Sequence, residues 1–354
     1  MPARSMAQSV IVGVDTHKDA HVAIAKDEMG RHLGELVIPA SPSGYRELLC
    51  WAKGYGEVAS FGVEGTGSYG AGLSRHLASV GQRVIEVNRP NRQTRRRNGK
   101  SDPADAEAAA RAVLSGEAAT RPKAADDVVE MIRVLRIARR TAIKARTQAI
   151  NAMQAILITY PEDLRQSLKG LSATRLVRTC ARFRVSEASD PLGATRMALR
   201  FLARRHEALE AECSSLQAEL ERLTTRAAAE LKELYGVGTD TAGALLVAAG
   251  DNPERLRSEA AFSALCGVSP MEASSGKTMR HRLNRGGNRE ANQALWRIVM
   301  VRISRKHQPT MDYVARRMAE GKTKREIIRC LKRYVAREVY AVLVAGKSDA
   351  SAVA

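Results

Sequence analysis

Residues 9–38 read SVIVGVDTHKDAHVAIAKDEMGRHLGELVI, and this stretch decides the fold. Ser9–Asp15 is a short apolar run rich in β-branched residues, the composition of a strand buried on both faces. Ala20–Lys26 alternates, Asp27–Gly30 makes a turn, and His32–Ile38 supplies a third strand, so the opening predicts an antiparallel meander. Beyond it, Ser43–Lys53 spaces Tyr45, Leu48, Leu49 and Ala52 for one helical face. Val58–Val63 is strand-like and ends at Glu64-Gly65-Thr66-Gly67; Tyr69–Val80 is helical, and Gln82–Val87 is again a strand.

A three-strand meander continued by parallel crossover units is the order of the ribonuclease H fold, an α/β architecture. The rest of the chain reads as helical. A basic loop comes first, with Arg89, Arg92, Arg95, Arg96, Arg97 and Lys100 as candidate phosphate contacts. Asp102–Ser115 is an alanine-rich helix. From Asp126 to Tyr160 there is no Gly or Pro, which predicts one long helix with Arg133, Arg136 and Arg140 on one face. A second long helical segment lies between Leu192 and Leu234, where Leu209, Leu216 and Leu223 alternate with Cys213, Leu220 and Ala227 in heptad rhythm. Two long helices and a short linker predict an antiparallel coiled-coil arm, a candidate dimerisation element; an ordinary helical bundle is the alternative. Leu234-Tyr235-Gly236-Val237-Gly238 before helical Thr241–Ala249 has the pattern of a helix-hairpin-helix, whose glycine turn presents N–H groups to phosphate. The same G-V-G also caps ordinary helices. From Glu290 onward the pattern is amphipathic helix, and the tail from Lys347 reads as disordered.

At 354 residues the chain has room for two or three domains. Lys and Arg number 57 against 38 Asp and Glu, a net charge of +19 that calls for a polyanionic partner. A membrane is the weaker choice: the longest apolar stretch, Ala242–Gly250, is far short of the ~20 residues a spanning helix needs. The N-terminus has no signal-peptide core, and five scattered cysteines without a C-x-x-C fit a reduced, cytoplasmic protein that is neither disulfide-built nor zinc-binding. Aromatics at 4% make base-stacking platforms scarce, so the expected grip is on phosphates and is salt-sensitive.

Four carboxylates stand out by position. Asp15 ends the first strand, Glu64 ends the fourth, and Asp102 and Asp105 share a face at the start of a helix. Acids gathered amid so many arginines need a reason to stay ionised together, and Mg²⁺ supplies one. For Asp102 and Asp105 a second reading stands beside this: an N-cap before Pro103 and a favourable charge on the helix dipole. Ser274-Ser275-Gly276-Lys277 is a second candidate site, in which a serine hydroxyl attacks a phosphodiester neutralised by Lys277, Arg280, Arg282 and Arg285. A basic loop that only holds phosphate fits the same residues. His17 and His21 read as solvated or hydrogen-bonding histidines rather than ligands, and Gly65-Thr66-Gly67 as a weak phosphate-cradling turn.

The segments VGVDTHKDAHVAIA, FGVEGTGSYGAGL and NGKSDPADAEAAARA resemble the DEDD transposases of IS110-type insertion sequences, which include the Piv-type DNA invertases. LYGVGTDTAGALLVAAGD and FSALCGVSPMEASSGKTMRHRLNRGGNREANQAL resemble that family's second domain. The resemblance covers nearly the whole chain, in the expected order. It implies a RuvC-like domain over 1–121, a coiled-coil arm over 122–232, and a C-terminal transposase domain with a serine loop over 233–346, ahead of the tail at 347–354. It implies metal-binding catalytic acids at Asp15, Glu64, Asp102 and Asp105, with Mg²⁺ as cofactor. It places a catalytic serine best at Ser275, with Ser274 as the alternative, and nucleic-acid contacts that extend to Arg289. The partners it implies are donor and target duplex DNA, a structured guide RNA from the element's own non-coding end, and further copies of the chain. Those copies assemble from dimers to a tetramer through the coiled coil, with a composite site across subunits, in a cytoplasmic, nucleoid-associated complex. Two other readings stay open on the residues alone: a RuvC-like nuclease using metal-activated water, and a non-catalytic nucleic-acid scaffold.

Overall fold

The computed structural model describes residues 9–87, 101–159, 162–184, 187–252, 255–276 and 281–348. They fall into two compact units, Met1–Asp127 with Ala249–Arg257, and Val128–Ala248 with Ser258–Ala354.

The first unit is built on a five-stranded sheet in the order β3-β2-β1-β4-β5. Its strands are β1 (Ser9–Thr16), β2 (Ala20–Asp27), β3 (His32–Pro39), β4 (Glu57–Glu64) and β5 (Val84–Val87). The first three form the antiparallel meander, and β1–β4 and β4–β5 pair in parallel. Helix α1 (Pro42–Lys53) starts where Ser41 accepts from the Gly44 N–H and Pro42 sits in the first turn. It covers one face of the sheet with α2 (Ala71–Ser79): Val10, Val12, Val14, Ala23, Ala25, Phe61 and Val63 pack with Leu48, Ala52, Leu73 and Leu77. The opposite parity, including Val22 and Ile24, packs against Ala106 of α3 (Asp102–Leu114). Period-two alternation therefore puts Gly13, Asp15, Gly62 and Glu64 on the α3 face. The basic-loop residues Arg89, Arg92, Arg95, Arg96, Arg97 and Lys100 lie outside the described residues.

The second unit is helical. Helices α4 (Val128–Thr159) and α7 (Pro191–Glu233) lie side by side and antiparallel: Arg146 pairs with Glu210, while Met153 shares a buried cluster with Leu199 and Ala203. Two features differ from expectation. The linker is no simple loop: α5 (Glu162–Leu168) and α6 (Ala173–Ala181) bury Leu164, Leu168, Leu176, Val177 and Cys180 in that same cluster, because their apolar residues recur at helical spacing. Helix α7 also bends at Ala228 (φ −167°, ψ 85°), although TTRAAAE there holds no Gly or Pro. Then follow α8 (Thr239–Ala249), α9 (Glu259–Leu265), the short strands β6 (Met271–Glu272) and β7 (His281–Arg282), α10 (Arg289–Ser304), α11 (Gln308–Ala319) and α12 (Lys324–Ser348). Lys347 and Ser348 thus end a helix, while 349–354 lie outside the described residues. Among the described residues no helix is long and apolar enough to cross a membrane.

Candidate active site

Two glycines bring the acids together. Gly13 on β1 and Gly62 on β4 are register partners, and α3 lies directly on them. A Cβ at Gly13 would stand 2.1 Å from the Ala106 carbonyl oxygen and 2.3 Å from the Ala110 nitrogen; one at Gly62 would stand 2.7 Å from Val113 Cγ2. Backbone meets backbone, which is why α3 presents Ala106, Ala109 and Ala110, all fully buried. The helix is also pinned in register by Lys26, whose Nζ lies 2.9 Å from Glu107 with almost none of its own side chain exposed. That pair holds the Glu107 carboxyl below its usual range.

This seating carries the first turn of α3 to the end of β1. Asp15, Glu64 and Asp105 are buried, and Thr16 Oγ1 donates to the Glu64 carbonyl at 2.9 Å, tying the two strand ends. His17 Nε2 lies 3.2 Å from Asp15 Oδ2 and 3.3 Å from Asp102 Oδ1. Burial pushes the Asp15 carboxyl above its ordinary value, His17 pulls it back, and Asp105 and Asp102 push it up again. A carboxyl in that position is short of positive charge. Ligand atoms of Asp15, His17 and Asp102 lie within 4.8 Å of one another, a spacing and donor set that fit a divalent cation. Glu64 stands at the neighbouring strand end, outside this closest trio. The capping reading of Asp102 does not hold: Ser101 is the N-cap, Asp102 begins the helix, and no side chain makes a cap bond there.

His17, read from sequence as a solvated or hydrogen-bonding residue, is half exposed and bridges Asp15 and Asp102, a pairing the sequence did not specify. Its only sequence signal is its place two residues past Asp15, where a strand ends at the sheet rim. Of the two readings of His21 the hydrogen-bonding one holds: it is fully buried, its Nδ1 lies 3.0 Å from the Ala20 carbonyl, it stacks on Tyr45 at 5.9 Å, and burial lowers its pKa. The Gly65 turn closes on itself, with the Ser68 and Gly70 N–H groups both donating to the Gly65 carbonyl.

In the second unit, Ser274 and Ser275 leave β6 on an exposed loop, and Gly276 takes φ +56°. Lys277 and Arg280 lie outside the described residues. Arg282 pairs with Met271 across the two-stranded hairpin, a structure the polar sequence there did not announce. Arg285 and Arg289 are exposed; Asn288 caps α10 by accepting from the Ala291 N–H at 3.0 Å. The hairpin base is fixed by Asn292, whose amide donates to the carbonyls of Cys266 and Gly267. In the LYGVG turn the Val237 N–H donates to Leu234 and the Gly238 N–H to Thr241 Oγ1, so both are satisfied internally. The α4 arginines are also engaged: Arg133 with Glu130, Arg136 with Asp240 at 2.8 Å, and Arg140 with Glu290.

Residues 12–161 match the family profile of the DEDD domain of the IS110 type, described as a transposase. Residues 228–315 match a second profile, described as the transposase IS116/IS110/IS902 family. No curated protein matches the chain.

Proposed function

We propose that this DNA transposase, which carries both domains of the IS110 type, breaks and rejoins DNA through Ser275 with Mg²⁺ held by Asp15, Glu64, Asp102 and Asp105. The observation that carries the metal part is Asp15: a buried carboxyl with its pKa raised, facing Asp102 and Asp105, with the His17 imidazole 3.2 Å away. A bound divalent ion supplies charge neutralisation at the phosphate and the departing oxygen. Among the acids, Asp15 and Asp102 face each other through His17, and the α3 seating on Gly13 holds their spacing.

Ser275 sits on an exposed hairpin loop beside Gly276, whose missing Cβ leaves open space on the backbone. Its Oγ forms a bond to the scissile phosphorus as the hydroxyl proton leaves. The P–O3′ bond breaks, and the 3′ oxygen takes up a proton. Attack by a 3′ hydroxyl on the phosphoserine reverses the sequence and rejoins a strand. Arg282, Arg285 and Arg289 border the hairpin as phosphate contacts. The net charge of +19 and the family resemblance support a structured guide RNA and assembly of several copies through the α4–α7 pair.

The test traps protein on labelled DNA after denaturation. Wild type and Ser274→Ala yield a covalent adduct; Ser275→Ala yields none. Cleavage without an adduct in any variant replaces the serine with metal-activated water. Sequencing RNA that copurifies with the chain tests guidance, and random cellular fragments refute it.

A further inference from the structure

A cleft of about 740 Å³ opens between α11, α12 and the base of the β6–β7 hairpin, all within the second unit. Its walls carry Arg282, Arg316, Lys322 and Arg329, together with Tyr313 and Tyr334. None of these four cations makes an ion pair among the described residues, and the acid that lines the cleft, Glu326, already accepts from the Thr323 N–H and hydroxyl. Tyr334 is 44% exposed, makes a T-shaped contact with Tyr313 at 5.3 Å, and has the Arg337 guanidinium over its ring at 5.6 Å. Few as the aromatics of this chain are, two of them meet here among cations that outnumber the one lining acid, Glu326. The Thr323 hydrogen bonds hold its carboxyl below the ordinary value, and Lys322 and Arg329 help.

We propose that this cleft seats unpaired nucleotides of a DNA strand, a base against Tyr334 and the flanking phosphates on Arg282, Arg316, Lys322 and Arg329. Its volume is in the range of small-ligand pockets, roughly 300–1,000 Å³, which admits a nucleotide or two and excludes a duplex. The faces of bases in a duplex are covered by neighbouring pairs, so a tyrosine ring offers stacking only to bases outside the stack. One wall of the cleft continues into the hairpin that carries Ser275, so the strand held there is one that the hairpin processes. The proposal rests on the transposase reading and adds a specific holder of single strand to it.

The experiment measures binding of labelled oligothymidylate, oligouridylate and a duplex of equal length to the full chain by fluorescence anisotropy. Tyr334→Ala weakens oligothymidylate about 5- to 100-fold, the range for loss of one stacked base, and leaves duplex affinity within about twofold. Tyr334→Phe, which keeps the ring, binds as wild type does. The double variant Arg316→Gln/Arg329→Gln lowers the slope of log affinity against log salt by about 1.4 for the single strand, from ~0.7 per phosphate contact. Unchanged oligothymidylate binding in both Tyr334→Ala and the double variant overturns the proposal. So does an equal loss on duplex, and so does tighter binding of oligouridylate than of oligothymidylate. Failure of the transposase reading shows separately, as absence of the Ser275-dependent adduct with single-strand binding intact.

Discussion

Gly13→Ala tests the seating of α3 with the smallest possible change. The new Cβ arrives 2.1 Å from the Ala106 oxygen and 2.3 Å from the Ala110 nitrogen, where ordinary contact begins near 3.4 Å. The helix must therefore lift by about 1.3 Å, since 3.4 − 2.1 = 1.3 and both obstacles are backbone. It has little freedom to slide instead, because Gly62 packs under Val113 and Ala109 and Lys26 holds Glu107. Overpacking costs about 1–3 kcal/mol, and two backbone clashes at once place this one near the upper end. For a unit of this size that is a melting-temperature loss of roughly 10 °C. The same lift separates Asp102 and Asp105 from Asp15, and ligand distances tolerate only ~0.2 Å, so Mn²⁺ affinity falls by about tenfold or more. Calorimetric melting gives the first number and titration of the chain with Mn²⁺ gives the second. Gly67→Ala is the control, because a Cβ there meets nothing within 4 Å. A Gly13→Ala chain that melts and binds Mn²⁺ as wild type does refutes the reasoning.

Two further outcomes follow from the charges. Because its folded-state pKa lies above the unfolded value, Asp15 supports the fold below the ordinary carboxylate pKa and costs stability as pH rises through the raised one. Asp15→Asn in chelator therefore melts higher than wild type at neutral pH, the gap closing below about pH 4 and reversing in saturating Mg²⁺; no gain at pH 7 in chelator counts against it. Arg136→Ala removes contacts to Asp240 and Glu290 and lowers stability by about 1–3 kcal/mol, with the salt slope of DNA binding unchanged. A reduced slope overturns this and puts Arg136 against DNA.

The meander was legible because β2 alternates and β1 is an unbroken apolar run, and the register they imply puts Asp15 and Glu64 on one face. Helices α4 and α7 were legible from their length and lack of breakers. What stayed hidden depends on contacts between segments distant in sequence. Nothing local in GVD or GVE says that their glycines lie side by side under one helix. Nothing in DTHK says that His17 reaches an aspartate 85 positions on, at 102. The arginines at 133, 136 and 140 share a face as expected, yet spacing alone says nothing of the acids that meet them. The strands β6 and β7 escaped because two residues are too few to show a period.

A net charge of +19 is a sum, and the two units spend it differently. In the helical unit, Asp240 alone takes Arg136 and Arg297, and Glu290 takes Arg140, so those cations hold helices together and contribute little to a phosphate. Arg282, Arg316, Lys322 and Arg329 at the cleft make no such ion pair among the described residues, so they stay available to a polyanion. The sheet unit has the opposite problem. Three acids crowd Asp15's end of the sheet with one imidazole between two of them, and a phosphate brought there meets repulsion at close range. Neutralising that rim and admitting a phosphate are therefore coupled: whatever positive charge relieves Asp15 also lowers the barrier to DNA. By linkage the reverse holds: were DNA to bind at the acid cluster, it would raise the affinity of the cluster for a divalent cation by the same factor.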